Sequence, residues 1–339
     1  MSNNVLYFPY IDVPRSTWFT RTLLYWDTIG VIMPQEFIEK PERLHPFTRD
    51  LLISGLLTQV FPGHYLSGVR KFSEVFLSYL ASRGAELNMR RRRFEAQSKA
   101  SRRRNRKEIH LEKLGVIPVH MEKLEGVAEG LIDQGLARLT NPPWLSIEAK
   151  TAEEFMYYLA FVLGGHKKVQ LTPITDQQEK LARLRMISRR GQLDSSLDRL
   201  RIEVLEEILP APNREISVWE IKKFKEKYGS HLSRFRRSVE MELVSLIDIK
   251  DAELRKRRLK MFKDGCDEEI NELKVRMRES KWPNIVFGKF CALLGAIPIV
   301  NQVASPINAA YTALGSGGPK EINSPLAYAA YVQTNLFRN

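Results

Sequence analysis

Within its first 34 residues the chain spells strand, helix, strand. Val5-Leu6-Tyr7-Phe8-Pro9-Tyr10 is an apolar, β-favouring run that stops at a proline. Residues 16–26 follow with a helical pattern, and Ser16 stands where an N-cap is needed. Ile29-Gly30-Val31-Ile32-Met33 is β-rich again and stops at Pro34. Such a unit is the signature of α/β organisation. Residues 47–57, the short run Gln59-Val60-Phe61 and residues 69–80 repeat the alternation. Further on, 109–111 reads as a strand and 119–134 as a helix, with Met121, Leu124, Val127, Ala128 and Leu131 at helical spacing. A strand at 144–147, a helix at 151–163, a strand at 169–172 and a helix from about Asp176 complete this part.

After Pro210 the pattern changes. Pro210-Ala211-Pro212-Asn213 marks a linker or sharp turn. Ser217-Val218-Trp219-Glu220 is a capping box opening a helix over about 217–247. Its stripe is Ile221, Phe224, Tyr228, Leu232, Phe235, Val239 and Leu243, with Gly229 a weak point inside it. A second helix runs over about 251–279, with Leu254, Phe262, Cys266, Leu273 and Met277 on one face. Two long amphipathic helices in series favour an antiparallel pair. The expected organisation is an α/β (or α+β) domain at 1–209 and a mainly α-helical domain at 210–339. A chain of 339 residues exceeds what one core organises well.

The charge is not spread evenly. Residues 90–107 hold Arg90, Arg91, Arg92, Arg93, Lys99, Arg102, Arg103, Arg104, Arg106 and Lys107 against one acid, Glu95. This carries nine of the thirteen excess positive charges, and the other 321 residues carry the remaining four. As a helix the arginine runs coat every face, and no apolar stripe is written to dock it. A block of like charge attracts phosphate-bearing partners. The expected partner is nucleic acid or another polyanion, bound by a mobile basic arm; the competing reading is a solvated loop. Phe94 alone in the block can stack on a base, so sequence-specific readout is not expected.

Three stretches resemble a family of uncharacterised bacterial proteins, a domain of unknown function. They are Leu6-Tyr7-Phe8-Pro9-Tyr10-Ile11 with Leu24-Tyr25-Trp26-Asp27-Thr28-Ile29, then Phe155-Met156-Tyr157-Tyr158-Leu159-Ala160 with Pro173-Ile174-Thr175-Asp176, then Phe224-Lys225-Glu226-Lys227-Tyr228 before Leu232-Ser233-Arg234-Phe235-Arg236. The resemblance implies a bacterial origin and suggests defence against phage or other mobile elements. It carries no activity, and the 90–107 block does not match it.

An enzyme is the alternative. Asp12, Asp27 and Asp176 each follow a predicted strand or helix end, where ligands of open α/β sheets bind. Asp12 and Asp176 could share a site with Tyr10 and Thr175, while Asp27 and Asp176 could equally cap turns or helices. Glu148-Ala149-Lys150 with Asp133 mimics the acid–acid–lysine pattern of metal-dependent nucleases, a match common by chance. The six histidines show no metal-ligand spacing and the two cysteines, Cys266 and Cys291, stand 25 residues apart, so neither metal nor cofactor is expected. Gly315-Ser316-Gly317-Gly318-Pro319-Lys320 has no strand before it and reads as a surface turn.

Two cysteines and an opening without a basic, then apolar, leader suggest a cytoplasmic protein. The uncharged stretch 290–319 raises a membrane-acting alternative, but Pro298 and Pro306 argue for a buried hairpin. A protein partner is also open.

Overall fold

The computed structural model describes residues 4–103, 116–177, 191–278 and 324–337, with backbone alone at 97–103, 191–196, 276 and 278. The chain divides into two compact units, Met1–Phe19 with Trp26–Gln192, and Thr20–Tyr25 with Leu193–Asn339. The first is α/β and the second helical. The stretches 109–111 and 290–319, and the helix expected from Asp176 beyond residue 177, lie outside the described residues.

The first unit runs β1 (Asn4–Tyr7), α1 (Thr17–Tyr25, whose last six residues belong to the second unit), β2 (Thr28–Ile32), α2 (Glu36–Glu39), α3 (Pro46–Ser54), β3 (Leu57–Val60), α4 (Pro62–Leu66), α5 (Phe72–Ala81) and α6 (Gly84–Arg103). It continues with β4 (Val116–His120), α7 (Val127–Asp133), β5 (Ala137–Asn141), β6 (Trp144–Glu148), α8 (Ala149–Gly164) and β7 (Thr172–Ile174). Four strands form a parallel sheet in the order β3-β2-β1-β7, with Val5 opposite both Ile29 and Thr172, and Ile29 opposite Leu57. Val5, Leu6, Tyr7, Ile29 and Val31 are fully buried, which is why β1 and β2 read as continuous apolar runs. The other sheet is antiparallel, in the order β4-β6-β5.

The core of this unit is aromatic. The rings of Phe72 and Phe76 on α5 stack on Tyr158 of α8 at 5.1 and 5.4 Å, and Phe155 meets Phe76 edge-on at 5.3 Å. The Tyr158 hydroxyl donates to the Phe72 carbonyl at 2.9 Å, so its polar end is satisfied where its ring is buried. Truncating a residue such as Phe76 costs about 3–5 kcal/mol. Where α8 ends, a Cβ on Gly164 would stand 2.5 Å from the Leu171 carbonyl oxygen, and the bare backbone lets the chain return closely into β7.

One expectation fails here. Residues 119–134 are not a single helix but the end of β4, a 3-10 turn at Met121–Lys123, and α7. Gly126, at φ +70°, breaks the pattern between turn and helix, and Met121 of the supposed stripe is exposed. The strand β5 was not expected at all.

The second unit holds α9 (Gly191–Ile208), α10 (Val218–Asp248), α11 (Ala252–Arg278) and α12 (Ala327–Tyr331), which continues as a π-helical turn over Val332–Leu336. The capping box forms as written: Glu220 N–H donates to Ser217 Oγ and Ser217 N–H donates to Glu220 Oε2. Arg258 forks onto Glu242 at 2.7 and 3.0 Å, eight residues either side of position 250, so α10 and α11 run antiparallel. The boundary differs from Pro210 because α9 belongs to the helices: Arg201 donates to both Glu240 oxygens, at 2.6 and 2.8 Å. The end of α1 belongs here too. Arg236 donates through Nε and Nη2 to the Tyr25 carbonyl, and the Tyr25 hydroxyl donates to Glu240. Tyr328 of α12 lies 5.8 Å from Phe235 and 5.5 Å from Phe224, covering the stripe. Among the described residues no helix is long and apolar enough to cross a membrane.

Candidate functional site

The basic segment begins inside α6, and α6 is docked. Leu87, Arg90 and Phe94 recur at steps of three and four and are all buried. The expectation that this segment has no docking face is therefore corrected for its first half. Arg90 is withdrawn from the ligand-binding set. The residue is 3 % exposed, and its guanidinium forks onto Glu154 of α8 at 2.7 and 2.8 Å, with a further bond to Glu86 at 2.9 Å. Burial alone pulls its pKa down, but the bonds to Glu154 and Glu86 outweigh this and the net shift is upward. Glu86 is held down to about 2, first by its bond from Lys150 and then by Arg90.

The remaining cations of the block are placed differently. Arg91 is half-buried and donates to Asn88 at 3.4 Å. Arg92 and Arg93 are exposed and make no ion pair among the described residues. Lys99, Arg102 and Arg103 continue the helical backbone, and Arg104, Arg106 and Lys107 lie outside the described residues. Phe94 is 5 % exposed, and the Arg138 guanidinium sits 5.8 Å from its ring centroid. Its face is closed to a nucleic-acid base.

The nuclease-like pattern is structural. Glu148 caps α8, accepting from the backbone N–H of Lys150 and of Thr151 and from the Thr151 hydroxyl. Lys150 pairs with Glu86. Asp133 ends α7 and is exposed.

The three candidate aspartates do not form one site. Asp27 precedes β2 and, because β1, β2 and β7 run parallel, lies at the other end of the strands from the residues after β1 and β7. Asp176, beyond β7, accepts from the Tyr7 hydroxyl at 3.4 Å, and its neighbour Gln177 donates to the Tyr10 hydroxyl at 3.1 Å. Burial and the nearby Asp176 raise the Tyr7 phenol well above its ordinary range, so it stays a donor. Asp12 accepts from the His45 backbone N–H at 2.9 Å and lines a cavity that Tyr10 also lines.

That cavity, of about 300 Å³, opens beyond the carboxyl end of β1. Pro9 to Asp12 form one wall, Ile117 to His120 and Lys123 a second, and Trp144 with Ala152, Glu153 and Met156 the rest. His120 is 7 % exposed and its Nδ1 accepts the Glu122 backbone N–H, which leaves the proton of the neutral ring on Nε2. That Nε2 has no hydrogen-bond partner among the described residues; the Glu36 carboxylate stands 3.6 Å away. Burial lowers the His120 pKa, partly offset by Glu36 and Glu122. Lys123 is 4 % exposed, and burial, opposed by Glu122, lowers its pKa to about 7. Sequence reasoning missed both residues because it drew one helix through them. The β-branched run Val116-Ile117-Pro118-Val119 was the available signal.

Among the described residues no group of three or more His, Cys, Asp or Glu stands where it could hold a metal ion. No protein-family model matches the chain, and no curated protein or solved structure is similar to it.

Proposed function

We propose that the chain binds nucleic acid or another polyanion through the solvent face of α6 and the basic residues that follow it. The observation that carries this reading is the docking of α6 by one face. Leu87, Arg90 and Phe94 point inward, while Arg92 and Arg93 remain exposed on a helix of 20 residues that also carries Lys99, Arg102 and Arg103. A rod of this length spans about 30 Å and presents charge without first having to be ordered at that end. With Phe94 buried, stacking worth about 1–3 kcal/mol per base is lost to this segment. Phosphate charge then dominates, and binding is insensitive to sequence. The bacterial resemblance adds a proposed setting, defence against phage or other mobile elements.

Fluorescence anisotropy with labelled duplexes of two unrelated sequences tests this. The variant replaces Arg92, Arg93, Lys99, Arg102, Arg103 and Arg104 with serine and keeps Arg90. Equal affinity of wild type for both duplexes, and at least tenfold weaker binding by the variant, is the expected result. Undiminished binding by the folded variant removes the proposal.

A further inference from the structure

The geometry points to a second site: the cavity beyond β1 takes a small, uncharged carbonyl compound, an aldehyde or ketone, which condenses with the Lys123 amine. Three features converge on it. The cavity is large enough for a fragment-sized molecule, and much of its wall is apolar, from Pro9, Ile117, Trp144 and Met156. Lys123 lines it while 4 % exposed and has no hydrogen-bond or ion-pair partner among the described residues. His120, also in the wall and 7 % exposed, carries an Nε2 with no hydrogen-bond partner among the described residues, 3.6 Å from the Glu36 carboxylate. A lysine held in a largely apolar cavity wall with no ion-pair partner among the described residues is costly unless it serves a ligand.

The carbonyl class follows from charge. Asp12 and Glu153 also line the cavity, so an anionic ligand meets carboxylates there. Burial lowers the Lys123 pKa to about 7, which favours the uncharged amine, and an uncharged amine is a nucleophile. Its lone pair attacks the carbonyl carbon to form a C–N bond, and the oxygen takes a proton. The carbinolamine then loses that oxygen as water, both hydrogens of which derive from the amine, and an imine remains. His120 shares the cavity wall and holds its ring proton on Nε2, and the proton transfer to the departing oxygen is assigned to it. No oxidant or reductant is needed.

The test is reductive trapping of the intact chain with benzaldehyde and cyanoborohydride, followed by peptide mapping. Labelling concentrated on Lys123 at pH 7, with a half-maximum near pH 7, supports the site. Exposed lysines rise only toward about pH 10.4. Lys123→Met should remove the selective adduct while leaving the exposed lysines at their background. Should that variant fold poorly, the pH profile of the Lys123 peptide in wild type decides alone. Labelling spread over exposed lysines with Lys123 unmodified at pH 7 overturns the inference. This site is independent of polyanion binding by α6, so either can fail without the other.

Discussion

The guanidinium of Arg90 forks onto the carboxylate of Glu154, bridging α6 to α8 through two bonds of 2.7 and 2.8 Å. Both side chains are almost fully buried. The pair turns one member of a strongly basic run into an anchor and fixes which face of α6 meets solvent. Two buried charges gain little net stability over apolar residues, but removing one leaves the other with a single ion-pair partner among the described residues, Glu86 for Arg90 and Arg83 for Glu154. Arg90→Ala and Glu154→Ala should each cost about 3–5 kcal/mol in urea unfolding. A double replacement, Arg90→Met with Glu154→Leu, should recover most of the loss. Single variants within 1 kcal/mol of wild type would contradict the anchoring role.

The same cluster sets an acid limit. Glu86 has its pKa lowered from 4.5 to about 2 by Lys150 and Arg90. A carboxylate with a depressed native pKa adds stability that is complete above its unfolded value and is lost as pH falls through the native one. Stability should therefore decline between about pH 4.5 and pH 2, and Glu86→Gln should flatten that decline. Equal slopes for wild type and variant in pH-dependent unfolding would exclude Glu86 as a contributor.

Lys123 works in the other direction. Its native pKa lies near 7 and its unfolded value near 10.5, so the unfolded chain holds the extra proton between them. Stability contributed by this group rises as pH climbs through that window and is at its lowest below pH 7. Lys123→Met should remove the slope and stabilise the protein at pH 6. A variant less stable than wild type at pH 6 would argue that the ammonium is satisfied.

Gly229 sits inside α10, and a Cβ built there meets nothing within 4 Å. Gly229→Ala should stabilise by about 1 kcal/mol, from helix propensity and a less flexible unfolded chain. Thermal unfolding reads this directly, and a lower midpoint would mean that the position needs its missing side chain.

Much of the architecture was legible because it is written locally. The capping box at Ser217 and Glu220 spans four residues, and the apolar runs of β1 and β2 announce strands buried on both faces. The role of Arg90 was not legible, since its partner lies 64 positions away and nothing in the run Arg90 to Arg93 distinguishes the first from the rest. His120 and Lys123 were hidden by apolar residues that mimic helical spacing until Gly126 breaks it. The aspartates were placed by strand or helix ends, and that rule does not put Asp27, before β2, at the opposite end of the strands from Asp12 and Asp176 until the strands are known to be parallel.

The most direct test of the account is the salt dependence of duplex binding. Each phosphate neutralised contributes about 0.9 to the slope of log affinity against log salt. Wild type should weaken steeply with salt, and Arg92→Ser with Arg93→Ser should reduce the slope by about 2 with the fold intact. Affinity and slope unchanged in that double variant would contradict the assignment of α6 as the binding face.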